Sequence, residues 1–286
     1  MIINRDRERR TAELATLDSA TDWQELYKRL TLWELPSEAR FGFQLAFYRP
    51  FAVPRMAAVL QRTGHFRRDT VRRAYDTGLV IHEIIWGGVD SERGRRMVRL
   101  MNALHNRPDI HAEDMTYLLN ALIVVPTRFM NRFGWRQVTE SERHATWRFY
   151  EALGQRMSIA DRPHSYEDAE ARLVEYEQRE LAPSPAGAEL TAAVLKVLRN
   201  RLPTPARPFA AQITSALVGD AAVSAALSLP APRPWFGVPL LVGAAGRRRV
   251  ERLRPPPDRP SFWPGRAAGT VYPTGYTIEQ LGPQEQ

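Results

Sequence analysis

The stretch AEDMTYLLNALIVVPTRFMNRFG, residues 112–134, decides the fold. From Met115 onward it is apolar almost all the way round. A helix of that kind is surrounded by other helices, at the centre of a large α domain. The segments on both sides carry helical periodicity as well. TDWQELYKRLTLW opens on a Thr21/Asp22 cap and places Trp23, Leu26, Leu30 and Trp33 on its apolar positions. PSEARFGFQLAFYRPF reads as helical to Tyr48, where Pro50 stops it. VPRMAAVLQRTG has proline at its start and Gly64 at its end. RRDTVRRAYDTGLVIHEIIWGG is a long helix ended by Gly87 and Gly88. DSERGRRMVRLMNALHN is another, capped by Asp90 or Ser91 and broken by Pro108.

Beyond the central stretch, Thr139 and Glu142 form a capping-box pattern and Ser165 caps the next helix. GAELTAAVLKVLRNRL follows, and then the alanine-rich stretch 208–230, which reads as one buried helix despite Asp220. A last helix is expected around LLVGAAGRRRVERL, and the remaining tail, rich in Pro, Gly and Arg, reads as extended or irregular. No alternating strand pattern and no internal repeat is found. The expectation is an all-α, single multi-helix domain at 36–286, with a helical extension at 1–35 and a Pro-rich tail.

Composition narrows the function. The 286 residues are 44% hydrophobic, 9% aromatic and 25% charged, which suits a globular chain with a sizeable core. There is no cysteine. That excludes disulfides, iron–sulfur clusters, thiolate-ligated haem, cysteine nucleophiles and thiolate zinc sites. The net charge of +8 is almost all arginine, since Lys28 and Lys196 are the only lysines. The arginines alternate with Glu and Asp (NRDRERR, SERGRRMVR, TESERHATWR), as on solvated helix faces, so nucleic acid is not the expected partner. No stretch has the length of a membrane span and the N-terminus lacks the apolar core of a signal peptide. A cytoplasmic protein is expected, with peripheral membrane contact through 208–230 left open.

Six histidines are the candidate ligands: His65, His82, His105, His111, His144 and His164. None form the His-x-x-x-His pair of a zinc protease, and no Glu-x-x-His pair of a di-iron bundle exists. His105 and His111 flank Pro108 and share no helix face. A lone helical histidine facing an apolar space can be an axial haem ligand, but by composition alone it is more often a core or surface residue. His82, in LVIHEIIW, is open to the same two readings. His65, His144 and His164 read as surface residues. Trp86, Trp135 and Trp147 read as core.

An ordered set of short motifs adds to this. Arg73-x-x-Asp76-Thr77 lies on one helix, and Asn102-x-x-His105 ends the next. Asp114-x-x-Tyr117 opens the central helix, and Trp135-Arg136 precedes Glu142-Arg143. Together with FYRPFAVPRMAAVLQRTGHF and YPTGYTIEQLGP, this chain resembles the MpaB-type oxygenases, the latex-clearing-protein-like family, from about residue 40 to the end. The resemblance implies an all-α fold holding haem b, an iron ligand at His105, and haem-facing roles for Arg73 and Thr77. It implies oxidation or cleavage of a C=C bond by O2 in an apolar, isoprenoid-like substrate.

The spacing is compatible with that. Arg73 and Thr77 share a helix face, as do Asn102 and His105. Arg73 suits a propionate, though Asp76 could pair with it instead. Thr77 could equally bond a carbonyl one turn back. Asn102 could steer the His105 ring or cap the helix end, and His111 stands near enough in sequence to support it. Asp114 and Tyr117 could orient the same region. The central helix and the 208–230 helix are expected to line a channel. The alternative is a non-catalytic lipid-, isoprenoid- or haem-binding protein in the same cavity.

Overall fold

The computed structural model describes residues 3–64, 70–231 and 233–282, and, within the last helix, leaves out the side chains at 234, 236, 237 and 239–241. Among the described residues the regular elements are helical, and one isolated bridge, Ala268 to Tyr272, is the sole β-type pairing. The helices are α1 (Arg5–Ala15), α2 (Trp23–Arg29), α3 (Pro36–Tyr48), α4 (Pro54–Thr63), α5 (Thr70–Gly87), α6 (Glu92–His105) and α7 (Ala112–Phe133). They are followed by α8 (Glu140–Arg156), α9 (Tyr166–Glu180), α10 (Pro185–Arg201), α11 (Ala210–Val218), α12 (Ala221–Ala226) and α13 (Pro234–Leu253). The all-α expectation holds.

The ends fall where local chemistry puts them. Thr139 and Glu142 close a reciprocal capping box at α8, and Ser165 and Ser91 accept backbone N–H groups at α9 and α6. Gly64 ends α4 with φ 66°, a left-handed conformation that glycine adopts without penalty. After α2 the chain widens into a π turn over Leu30–Glu34, closed by the Leu35 N–H on the Leu30 carbonyl at 2.9 Å.

The stretch 208–230 is not one helix. Gly219, with φ 67°, ends α11. Asp220 then caps α12, its side chain accepting from the Val223 N–H. The two residues that looked like tolerated interruptions are a C-cap and an N-cap back to back.

Helix α7 is central, as its all-round apolar surface requires. Ala121, Ile123, Val124 and Met130 are fully buried in the main core with Ile84, Met97, Phe149 and Tyr150. Its interior Pro126 faces Gly42 of α3, where an added Cβ would sit 2.4 Å from the Pro126 Cα. The missing side chain at 42 therefore sets how closely α3 and α7 approach. Residues of the N-terminal segment share this core: Leu14, Leu26 and Leu30 are buried in it, and the Tyr27 and Tyr150 hydroxyls meet at 2.9 Å. A smaller second core joins the Arg49–Ala52 turn, α4, α10 and α12 around Phe51, Ala57, Leu190 and Val223.

The tail after α13 is irregular, as expected, but it is not loose. Tyr272, Tyr276, Ile278 and Leu281 are buried in the main core. The Tyr276 hydroxyl donates to Glu83 of α5 at 2.6 Å, a carboxylate that Arg93 also grips at 2.7 and 2.8 Å.

Candidate functional site

Between the ends of α3 to α8 lies a cavity of about 270 Å³ with mostly apolar walls. Helix α7 supplies Met115, Leu118, Leu119 and Leu122, and α6 supplies Leu100, Met101 and Leu104. Those positions recur at helical spacing, so each helix turns one greasy stripe to the same space. The expected lining by α7 is present. The expected lining by 208–230 is not: none of its residues reaches the cavity wall.

Arg73, Thr77 and His105, which stand on two different helices, all line this cavity. His105 occupies the last turn of α6. Its Nδ1 lies 2.7 Å from the Met101 carbonyl, and since a carbonyl only accepts, the proton is on Nδ1. The Nε2 lone pair is thereby left free. Burial, with the Arg73 charge nearby, holds the His105 imidazolium below its ordinary range, so the ring is neutral at pH 7. A neutral imidazole with one nitrogen fixed on a backbone carbonyl is the form in which histidine binds a metal.

Arg73 is half-buried, and its Nε is buried without a hydrogen-bond partner. Burial lowers its pKa. Asp76, the candidate partner one turn on, is spoken for. Its Oδ1 accepts from the Tyr272 hydroxyl at 2.6 Å and its Oδ2 from the Gly282 N–H at 3.2 Å, with Arg72 at 3.9 Å. Burial still pushes the Asp76 carboxyl above its usual range. The tail thus takes up the hydrogen-bonding positions of Asp76 without cancelling its charge, which still acts on Arg73, and the Arg73 Nε keeps a donor with no partner.

Other residues named from sequence are placed differently. The Thr77 hydroxyl donates to the Arg73 carbonyl at 2.9 Å, so it offers the cavity only acceptor capacity. Asn102 is not among the residues of the cavity wall: its amide donates to the Arg156 carbonyl at 3.1 Å and ties α6 to the end of α8. His82 is also off the wall. Its Nδ1 bonds the Gly78 carbonyl at 2.7 Å and its ring packs between Phe43 and Phe262, a core histidine. His111 and His164 are exposed, and His144 is half-buried against the Ser19 carbonyl. His65 lies outside the described residues.

Asp114 and Tyr117 belong to a charged cluster behind the wall. Asp114, which lines the cavity, is held by Arg55 at 2.6 and 2.9 Å and by the Tyr176 hydroxyl at 2.5 Å. Tyr117 stacks on Tyr176, with centroids 4.1 Å apart, and donates to Glu177, which pairs with buried Arg49. Trp135 donates to the Glu34 carbonyl, and Arg136 clasps Glu142 at 2.6 and 2.7 Å: these are architectural contacts. Among the described residues no group of three or more His, Cys, Asp or Glu could hold a metal ion by itself.

Residues 37–248 match the family described as ER-bound oxygenase mpaB/B'/Rubber oxygenase, catalytic domain. The chain belongs to that family. Similar proteins include the ER-bound oxygenase mpaB' of Penicillium brevicompactum, 25% identical over an alignment of 325 residues that covers 91% of this chain and 77% of that protein. The ER-bound oxygenase mpaB of Penicillium roqueforti (strain FM164) is 25% identical over 214 residues, covering 68% of this chain and 72% of the relative. The mpaB of Penicillium brevicompactum is 25% identical over 201 residues, covering 63% and 51%. This member of the mpaB/rubber oxygenase family therefore carries an oxygenase's catalytic domain on an all-α scaffold. Among its described residues no helix is long and apolar enough to cross a membrane.

Proposed function

We propose that the chain is a haem b-dependent oxygenase that uses O2 to oxidise or cleave a C=C bond of an apolar, isoprenoid-class metabolite. One observation carries this: a neutral histidine, His105, with Nδ1 committed to a backbone carbonyl and Nε2 free, on the wall of an apolar cavity. The residues fit the group. His105 would ligate the iron, and the orphaned Nε of Arg73 suits a propionate. Thr77 stands one turn from Arg73 on the same wall, its hydroxyl turned to its own helix. When bound, haem supplies the O2 chemistry. The chain supplies orientation, through the α6 and α7 stripes, and exclusion of water, through the tail packed on α5. The test is titration of the purified protein with haemin, expected to saturate at one per chain, followed by oxygen uptake on alkene substrates. Stoichiometric haem without turnover of any alkene would leave a binding protein in place of an enzyme.

Peripheral contact with an anionic lipid surface belongs to this reading, through α13 rather than 208–230. Trp235, Val238 and Val242 stand at i, i+3 and i+7 with 63%, 56% and 65% exposure, and the Arg233 guanidinium lies over the Trp235 ring. Such a stripe edged by arginine is the pattern of an interfacial helix. Flotation with vesicles of anionic phospholipid is expected to carry the protein upward, and V238S/V242S is expected to weaken it several-fold. Equal flotation of the two proteins would remove α13 from this role.

A further inference from the structure

The polar groups on the cavity wall can be accounted for almost completely. Asp76 is held by Tyr272 and Gly282, Asp114 by Arg55 and Tyr176, and Asp109 by Arg107 and Arg62. Thr77 donates to its own helix. His105 and Arg73 belong to the proposed cofactor. Two groups remain, Gln44 and Tyr48, both on α3 and both lining the cavity. They are four residues apart, so they share a helix face. Among the described residues neither side chain hydrogen-bonds to another residue. Tyr48 makes a ring contact with Phe51, centroids 5.9 Å apart, which orients the ring without engaging the hydroxyl.

Both residues are partly exposed, so water can serve their polar atoms, and a substrate that displaces that water has to replace its hydrogen bonds. We propose that Gln44 and Tyr48 form the subsite that recognises one uncharged oxygen, an alcohol or a carbonyl, on an otherwise apolar substrate. Burial pushes the Tyr48 phenol up to about 12, so it remains a donor. The Gln44 carboxamide offers both an acceptor and a donor. An alcohol satisfies both, donating to Gln44 and accepting from Tyr48. Neither residue is charged, and Arg201, the cation that acts on Tyr48, is not on the cavity wall, so this subsite does not call for a carboxylate or phosphate. The inference rests on the cavity being the substrate site of the proposed oxygenase, and it separates a substrate carrying one oxygen function from a bare hydrocarbon.

The test compares two ten-carbon isoprenoid probes, geraniol, which has a hydroxyl, and myrcene, which has none. Their affinities for haem-reconstituted wild type, Tyr48→Phe and Gln44→Leu are read by equilibrium dialysis. Comparing each probe across proteins cancels the probes' different hydrophobicity. Tyr48→Phe is expected to weaken geraniol about fivefold to tenfold, as for one lost hydrogen bond, and to leave myrcene within twofold. Gln44→Leu is expected to do the same. Equal weakening of both probes, no weakening of either, or no binding of either by wild type overturns the proposal. Haem content, read by absorption in the same samples, keeps the two readings apart. Hydroxyl discrimination in a protein that takes up no haem supports this subsite and sinks the oxygenase. Full haem loading without discrimination does the reverse.

Discussion

Replacing His105 by alanine is expected to abolish the Soret band of the haem-reconstituted protein, with at least a hundredfold loss of haem affinity. The side chain stands in the last turn of α6, where alanine continues the helix without strain, so the melting temperature should stay within a few degrees. His82→Ala is the control. That ring is packed between Phe43 and Phe262, with centroids 5.8 and 5.3 Å away, and it does not line the cavity. Its removal should lower the melting temperature and leave the Soret band in place. Persistence of the band in His105→Ala together with its loss in His82→Ala would sink the assignment. The pH dependence has a definite sign. Burial lowers both imidazolium pKa values below the ordinary 6.5, so both rings are neutral in the fold at pH 7. The unfolded chain takes up those protons first as pH falls through about 6.5, and stability declines from there toward the lowered folded values. Haem affinity should hold between pH 8 and 6.5 and fall only below that, where protons compete for His105.

What could be read in the sequence was local, and what could not was remote in the chain. The caps at Ser91, Thr139 and Ser165 and the stop at Gly64 each depend on side chains within four residues, and each stands where the pattern put it. The centrality of α7 followed from its lack of a polar face. That Arg73, Thr77 and His105 would share a cavity was carried by resemblance, since no spacing links α5 to α6. The fate of Asp76 could not be read at all: its partner Tyr272 is 196 residues away, in a tail whose composition suggested irregular chain. The same distance hid the consequence, an Arg73 whose Nε has no hydrogen-bond partner. For Asn102 the helix face could be read, but not its hydrogen bond to the Arg156 carbonyl at the α8 end, 54 residues away. Gln44 and Tyr48 did carry a local signal, polar positions four apart on a mostly apolar helix. It takes the cavity to tell them from a solvated edge.

The largest effect on stability is expected at Glu177, behind the same wall. Its carboxylate pairs with Arg49 and accepts from the Tyr117 hydroxyl at 3.1 Å, and both charged residues are under 9% exposed. Glu177→Ala leaves a guanidinium buried without its counter-charge, which costs about 3–5 kcal/mol. Against a total of about 5–15 kcal/mol that is a large fraction, and the melting temperature should fall by roughly 6–15 °C. Glu177→Gln keeps an acceptor for Tyr117 and for Arg49 and loses only the charge, so its fall should be smaller. The paired variant Arg49→Met/Glu177→Leu removes both charges and fills the space with apolar atoms. It should regain most of the loss, because desolvating the ion pair is itself expensive; the residue left over is the unpaired Tyr117 hydroxyl. A melting temperature for Glu177→Ala within 2 °C of wild type, by differential scanning calorimetry, would show that the pair is not buried in solution as it is here. The effect should also reach the cavity. Arg49 is followed directly by Pro50 and Phe51 of the wall, and Tyr117 stacks on Tyr176, which holds Asp114. Loosening this pair therefore moves the α3–α4 side of the cavity, and Glu177→Ala should weaken geraniol and myrcene alike, in contrast to the selective loss expected from Tyr48→Phe.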